Sequence, residues 1–76
     1  MQNRTYKVLF KEEPEGGYTV IVPTLQGCIT YGETLEIARH NAEEAIELYI
    51  ESLQADDLPV PSDENTIEMN MQISHG

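Results

Sequence analysis

The chain has 76 residues, and its fourteen Asp and Glu outnumber its four Lys and Arg, which gives a formal net charge of -10. A chain of this length forms a single domain, predicted here over residues 1–76, and buries only about 60% of the surface that its unfolded form exposes. The acidic excess disfavours direct binding to DNA or RNA, because cations supply the affinity for phosphates, and it favours a basic protein partner.

The first three predicted elements are short strands joined by turns. Residues 4–11 alternate between apolar and polar side chains, which is typical of a strand with one face toward a core. Turn-forming and charged residues at 12–17 lead into a second alternating run at 18–22, so these two strands form a hairpin. A further short turn at 23–27 lets residues 28–31 return as a third antiparallel strand.

A long acidic helix is predicted to follow Gly32. Thr34 is a suitable N-cap, because its hydroxyl can accept a hydrogen bond from backbone amides two or three residues further on. The helix is expected to end near Gln54, since Pro59 and Pro61 cannot continue it. The apolar residues that recur at steps of three and four and form the predicted buried stripe are Leu35, Ala38, Ala42, Ala45, Ile46, Tyr49 and Leu53.

The alternation at 66–73 predicts a fourth strand. Its apolar face carries Ile67, Met69, Met71 and Ile73. The simplest closure of the sheet pairs this strand parallel to the first one, with spatial order 3-2-1-4. The predicted fold class is therefore α+β, with element order β-β-β-α-β, a four-stranded mixed sheet and one helix on one face.

The sheet face opposite the helix is predicted to leave apolar side chains exposed. The residues expected on this face are Lys7, Leu9, Ile21, Cys28 and Thr30. Such a sheet is stabilised when a second copy packs on its face or pairs with its edge. The chain is therefore predicted to form a homodimer or a higher oligomer.

The chain contains residue types that are used in two-metal nuclease sites, in Cys/His nucleophilic sites and in phosphate-binding loops. Their arrangement in this sequence favours structural roles instead. A two-metal nuclease needs converging carboxylates, whereas the first predicted strand carries the cations Arg4, Lys7 and Lys11. Cys28 and His40 have the chemistry of a nucleophile and a base, but a packed thiol and a solvated imidazole explain them better. The glycines do not have the spacing of a phosphate-binding loop. The chain is predicted to be no enzyme and to hold no metal or cofactor.

The acidic face of the helix is the candidate functional site. Glu43, Glu47 and Glu51 stand four residues apart, so neighbouring pairs repel each other by about 0.2–0.5 kcal/mol. Together with Glu36 they form either a solvated face that keeps the protein soluble or a surface that binds a basic partner. The candidate partner-binding residues are therefore Glu36, Glu43, Glu47 and Glu51.

Four segments, in this order and spacing, resemble the N-terminal domain of HicB-type antitoxins. They are residues 6–10, Gly17-Tyr18-Thr19-Val20, the run 22–34 that reads Val-Pro-Thr-Leu-Gln-Gly-Cys-Ile-Thr-Tyr-Gly-Glu-Thr, and residues 38–49. The resemblance implies a partial ribonuclease H-like fold without nuclease activity. It also implies a partner, the small basic ribonuclease toxin HicA, whose RNA-binding and active-site surface the antitoxin blocks. Many HicB antitoxins carry a C-terminal DNA-binding domain that this sequence lacks, so it is expected not to bind an operator by itself.

The prediction for function is thus a non-catalytic antitoxin-like protein that binds and neutralises a HicA-type toxin. The alternative is a free-standing dimeric accessory or regulatory protein of the same fold that has no toxin partner. The first residues lack the apolar run of a signal peptide, and no stretch approaches the roughly 20 apolar residues that cross a bilayer. A cytoplasmic location without membrane contact is therefore predicted, and the single Cys28 permits no internal disulfide.

Overall fold

Three antiparallel strands and one helix form the regular structure of residues 3–75, the part of the chain that the computed structural model describes. Strand β1 spans Leu9–Glu12, β2 spans Tyr18–Ile21, β3 spans Ile29–Gly32, and helix α1 spans Leu35–Ala55. β2 lies in the middle of the sheet and pairs antiparallel with both neighbours, which gives the order β1-β2-β3. The three predicted strands and the helix are thus present, although β1 begins later than expected.

Glycine backbones build the β1–β2 hairpin. The Glu13 N–H donates to the Gly17 carbonyl at 3.0 Å, and the Gly16 N–H donates to the Glu13 carbonyl at 2.9 Å. Gly16 and Gly17 have φ angles of 105° and 84°, in the left-handed region that side chains disfavour. The register that follows places Phe10 opposite Val20. Both residues therefore share the sheet face that α1 covers.

The β2–β3 turn closes around the buried side chain of Leu25. The Val22 N–H donates to the Cys28 carbonyl at 3.0 Å, and the Leu25 N–H donates to the Val22 carbonyl at 3.0 Å. From the helix, the Tyr49 hydroxyl donates to the Gln26 carbonyl at 2.7 Å. The turn is therefore held both by its own backbone and by α1.

The core lies between the sheet and one face of α1. In one cluster Val20 packs against Ala38 and Ala42, whose small side chains let the helix approach the sheet closely. Gly32 completes this approach, because a side chain there would collide with the backbone of Ala38. The buried members of the second cluster are Val22, Leu25 and Cys28.

Both ends of α1 are capped. The Thr34 hydroxyl accepts a hydrogen bond from the Ile37 N–H at 3.1 Å, which confirms Thr34 as the predicted N-cap. At the other end Asp57 has a φ of 55°, and the Leu58 N–H donates to the Leu53 carbonyl at 2.9 Å. This is the Schellman arrangement, which satisfies a carbonyl that the helix itself leaves unpaired.

The buried stripe of α1 is narrower than predicted. Ala38 and Ala42 are buried, and the half-buried members of the stripe are Ala45, Ile46, Tyr49 and Leu53. Leu35 is 53% exposed, so its predicted burial is wrong. The helix meets the sheet at Ala38 beside Gly32, and Leu35 lies in the turn before this contact.

The predicted fourth strand does not form, and the predicted four-stranded sheet of order 3-2-1-4 is wrong. Residues 66–73 have no strand structure, and the sheet within residues 3–75 consists of β1, β2 and β3. The described part of the chain is therefore β-β-β-α, with one helix on one face of a fully antiparallel sheet.

Asp63 explains why the chain after α1 does not run along the outer edge of β1. In the register of the hairpin, Lys7 would face Pro23, where the chain turns away from the sheet. Asp63 takes this place: its N–H donates to the Thr5 carbonyl at 2.7 Å, and its carboxylate accepts from the Lys7 N–H at 2.8 Å. The chain is thereby held on the β2 side of residues 5–7.

The open face of the sheet, opposite α1, differs from its prediction at two positions. Cys28 is buried, and Thr30 stands opposite Val20 and therefore shares the helix side. Ile29 and Tyr31 point to the open face instead and are 62% and 48% exposed. The apolar residues of the open face are Leu9, Ile21, Ile29 and Tyr31.

Candidate partner-binding surface

The acidic stripe, defined as Glu36, Glu43, Glu47 and Glu51, runs along the solvent side of α1. All four residues are exposed. Steps of seven and four residues return to the same side of an α-helix, so helix formation alone brings the four carboxylates into one row. The structure thus places all four candidate residues on one surface, and their role in binding stays a prediction.

Arg39 neutralises the acidic stripe only weakly. Arg39 Nη1 lies 4.0 Å from Glu43 Oε1, and the two side chains are 75% and 65% exposed. An ion pair this long and this exposed contributes at most about 1 kcal/mol. Glu47 and Glu51 follow one and two turns later, and Asp56 adds a further negative charge at the C-cap, where the helix dipole is already negative. The stripe therefore presents net negative charge to solvent.

A groove with one mixed and one apolar part lies between the acidic stripe and the segment that leads into β1. We call it the edge groove, and its lining residues are Arg4, Tyr6, Val8 and Phe10 on the strand side and Arg39, Ala42, Glu43, Ile46, Glu47 and Ile50 on α1. It consists of two adjoining depressions of about 410 and 260 Å³, which share Glu43 and Ile46. Glu43 and Glu47 belong both to the stripe and to the rim of this groove.

The sequence pattern does not reveal the edge groove, although it identifies two acidic residues of its rim. Ile46 and Ile50 each follow an acidic residue of the stripe by three positions, which puts them beside that residue on the helix surface. Apolar residues next to the acidic row are therefore the signal that the sequence offers. The strand side of the groove depends on where α1 crosses the sheet, which no local pattern specifies.

Comparison with known sequences identifies the family. Residues 6–75 match the family described as HicB-like antitoxin of bacterial toxin-antitoxin system. The chain belongs to this family. The resemblance to HicB-type antitoxins seen in the sequence is thereby confirmed, and membership implies a toxin partner in general terms.

Relatives of this HicB-like chain occur in bacteria and archaea. A UPF0150 protein of Synechocystis is 51% identical over 59 residues, which cover 78% of this chain and 75% of the relative. A UPF0150 protein of Helicobacter pylori is 41% identical over 63 residues, covering 83% of this chain and 88% of the relative. A UPF0150 protein of Thermoplasma acidophilum is 43% identical over 58 residues, covering 76% and 84%.

Cys28 and His40 lie in contrasting environments in this HicB-like fold. Cys28 is buried in the core beside Val22 and Leu25, and burial raises the pKa of its thiol. A thiol with a raised pKa stays protonated and unreactive at neutral pH. His40 is exposed on α1. These positions support the interpretation of Cys28 as a packing residue and His40 as a solvated one.

Metal-binding clusters and membrane-spanning helices are both absent from residues 3–75 of the HicB-like chain. No group of three or more His, Cys, Asp or Glu in this range has an arrangement that could hold a metal ion. No helix in the same range has the length and apolar character that spanning a membrane requires.

Asp63 is a buried acidic residue that ties three parts of the fold together. It is 3% exposed, and besides the Lys7 amide its carboxylate accepts a hydrogen bond from the Thr24 hydroxyl. The Thr24 hydrogen bond, followed by that of the Lys7 amide, lowers the pKa of Asp63 below its ordinary value. Asp63 therefore fixes the β2–β3 turn, the N-terminal segment and the chain after α1 relative to one another.

Proposed function

We propose that this HicB-like antitoxin neutralises a small basic ribonuclease toxin of the HicA type by covering the toxin's cationic surface with its acidic stripe. The observation that carries the proposal is the row of four exposed carboxylates on α1 in a chain of net charge -10. Family membership supports a toxin as the partner.

The electrostatics of the acidic stripe fit a cationic partner. Glu43, Glu47 and Glu51 repel one another along the helix in the free protein, by about 0.2–0.5 kcal/mol for each neighbouring pair. A toxin surface rich in Lys and Arg replaces this repulsion with attraction and also accelerates encounter. The same toxin surface must bind the negatively charged backbone of RNA, so the antitoxin and the RNA compete for it.

Neutralisation by this surface requires no chemistry from the antitoxin. Glutamate side chains in a solvated row act as fixed charges that occupy the toxin's RNA-binding and active-site surface. The extent of neutralisation therefore depends on the affinity and lifetime of the antitoxin–toxin complex. Toxin that is released from the complex is active again.

A growth experiment tests the proposal. The protein encoded by the adjacent reading frame is expressed alone and together with this chain. We expect arrest of growth in the first case and rescue in the second. The variant Glu43→Gln/Glu47→Gln/Glu51→Gln should lose rescue, with an affinity for the partner lowered at least about 10-fold in titration calorimetry at low salt.

The matched control removes the same amount of charge elsewhere. The exposed residues Glu12, Glu15 and Glu33 lie at the hairpin and before α1, and their replacement by Gln also brings the net charge from -10 to -7. This control should still rescue growth. Equal loss of rescue in both variants, or unchanged binding by the stripe variant, contradicts the assignment of the surface. A harmless neighbouring protein favours the free-standing accessory protein instead.

A further inference from the structure

The segment 67–73 has the alternating apolar and polar residues of a strand, but it pairs with no strand within residues 3–75. Its apolar residues Ile67, Met69, Met71 and Ile73 are 88%, 68%, 73% and 70% exposed. Alternating apolar side chains that all remain in water are unfavourable, because each loses the free energy that burial would provide. A segment of this kind is suited to bind along a sheet edge and a hydrophobic surface.

The shape of the molecule shows that this segment extends away from the fold. The radius of gyration is 14.5 Å, whereas a compact chain of this length has a value of about 11 Å. The longest dimension is 47 Å against 29 and 20 Å for the other two. A turn at residues 63–66 precedes the segment, and the Thr66 N–H closes it by donating to the Asp63 carbonyl at 3.0 Å. The segment leaves the fold immediately after this turn.

The same chain carries a surface that matches the unpaired segment. β1 is an edge strand, and no strand of residues 3–75 lies along its outer side. The edge groove opens at this side, with Val8 and Phe10 on one wall and Ile46 on the other. The stretch 6–12 is as long as the segment 67–73, so one strand can pair along its whole length and point alternate side chains into the groove.

We propose that two copies of this chain exchange their segments 67–73, each of which pairs with the outer edge of β1 of the other copy and buries its apolar face in that copy's edge groove. This arrangement differs from the four-stranded sheet predicted within one chain, because Asp63 holds the chain after α1 on the β2 side of residues 5–7 and not at the outer edge of β1. Glu36 and Glu51 of the acidic stripe lie outside the groove, whereas Glu43 and Glu47 stand at its rim. The proposal does not depend on the toxin.

Symmetry favours a second copy as the occupant. Each copy carries one segment and one groove, so a two-fold exchange fills both sites at once and leaves no open end. Of the four Lys and Arg of the chain, Arg4 and Arg39 line the groove, and they are balanced there by Glu43 and Glu47. The groove therefore carries no net charge that attracts a basic protein, and its apolar wall of Val8, Phe10 and Ile46 suits the apolar face of the segment.

Sedimentation of the full chain without any partner tests the exchange. The natural chain should be a dimer at tens of micromolar. Met69→Asp/Met71→Asp, on the apolar face of the segment, should raise the dissociation constant at least about 100-fold. Asn70→Asp/Gln72→Glu adds the same charge to the opposite face and should leave the dimer intact. A monomeric natural chain, or a dimer that the two Met substitutions do not weaken, overturns the proposal.

Disulfide cross-linking shows which chain contributes the segment. In a Cys28→Ala background, a tagged copy with Phe10→Cys is mixed with an untagged copy with Met71→Cys or Met69→Cys. The exchange predicts a disulfide between tagged and untagged chains under mild oxidation, with the folded state checked by circular dichroism. The absence of a mixed disulfide from both positions contradicts the proposal.

Discussion

Asp63 shows how one buried carboxylate directs the path of the chain. It lies far from the N-terminal segment in sequence, yet its carboxylate receives hydrogen bonds from the Lys7 amide and the Thr24 hydroxyl. Its backbone N–H bonds the Thr5 carbonyl as well. These bonds satisfy groups that the sheet leaves unpaired where the chain turns at Pro23, and they stabilise the ionised form of the carboxylate.

The lowered pKa of Asp63 predicts acid sensitivity. A folded-state pKa below the ordinary value of 3.8 means that the carboxylate stabilises the fold above that pH, and this stabilisation is lost as pH falls through the lower folded value. Asp63→Asn should therefore be less stable than the natural chain at pH 7, and the difference should shrink toward pH 3. Urea unfolding at fixed protein concentration measures this.

The control for Asp63 is the neighbouring exposed carboxylate. Glu64→Gln should leave both the stability at pH 7 and its decline in acid close to those of the natural chain. If Asp63→Asn and Glu64→Gln have the same pH profile, then hydrogen bonding of Asp63 is not the source of the acid sensitivity.

At the scale of elements, α1 is stabilised at its N-terminus and disfavoured at its C-terminus. Thr34 caps the first turn, and Glu36 in that turn interacts favourably with the positive end of the helix dipole. The last turn contains no basic residue, Asp56 is the C-cap, and Asp57 adopts the left-handed conformation that glycine prefers. The C-terminal end of α1 is therefore a place where substitution should stabilise the protein.

Asp57→Gly should raise the free energy of unfolding by about 0.5–1 kcal/mol, because glycine adopts a φ of 55° without steric cost and the substitution also removes a charge that the dipole disfavours. Asp57→Asn removes the charge alone and should give a smaller, salt-sensitive increase. Thermal and urea unfolding would measure both. If the Asp57→Gly variant is less stable than the natural chain, then the greater conformational freedom of glycine in the unfolded state outweighs these gains.

At the scale of the whole molecule, the net charge of -10 acts against compactness. The acidic stripe concentrates part of this repulsion on one helix. Glu43→Gln/Glu47→Gln/Glu51→Gln removes two repulsive pairs at four-residue spacing and should stabilise the free protein by about 0.4–1 kcal/mol at low salt. The gain should fall in 0.5 M salt, where charges are screened over a few ångström.

A comparison at equal charge separates local from global repulsion. Glu12→Gln/Glu15→Gln/Glu33→Gln has the same net charge as the stripe variant but removes no pair at four-residue spacing along α1. Urea unfolding at low and high salt should show the larger low-salt gain for the stripe variant. Equal gains would assign the repulsion to net charge rather than to the stripe.

Local patterns predict most of the elements and the row of site residues. Period-two alternation locates the first two strands, and the turn at 23–27 predicts the third. Thr34 locates the start of α1, and the spacing of Glu43, Glu47 and Glu51 puts these carboxylates on one helix face. Each of these features depends on residues close together in the chain, so the sequence is sufficient. The segments that resemble HicB-type antitoxins identify the family for the same reason.

Two features depend on contacts between residues that are distant in the chain, and only the tertiary structure revealed them: the missing fourth strand and the edge groove. The alternation at 66–73 is that of a strand, but pairing requires a free sheet edge, and the bonds of Asp63 to Thr5 and Lys7 hold the chain on the β2 side of residues 5–7 and not at the outer edge of β1. The edge groove likewise depends on how α1 lies across the sheet, and the close approach of Ala38 to Gly32 is one of the contacts that set this position. Sequence alone determined three strands, the helix, the charge and the family, because local sterics and composition specify them. The placement of one element against another, and with it the fate of the segment 66–73, is a balance of long-range contacts that no short pattern encodes.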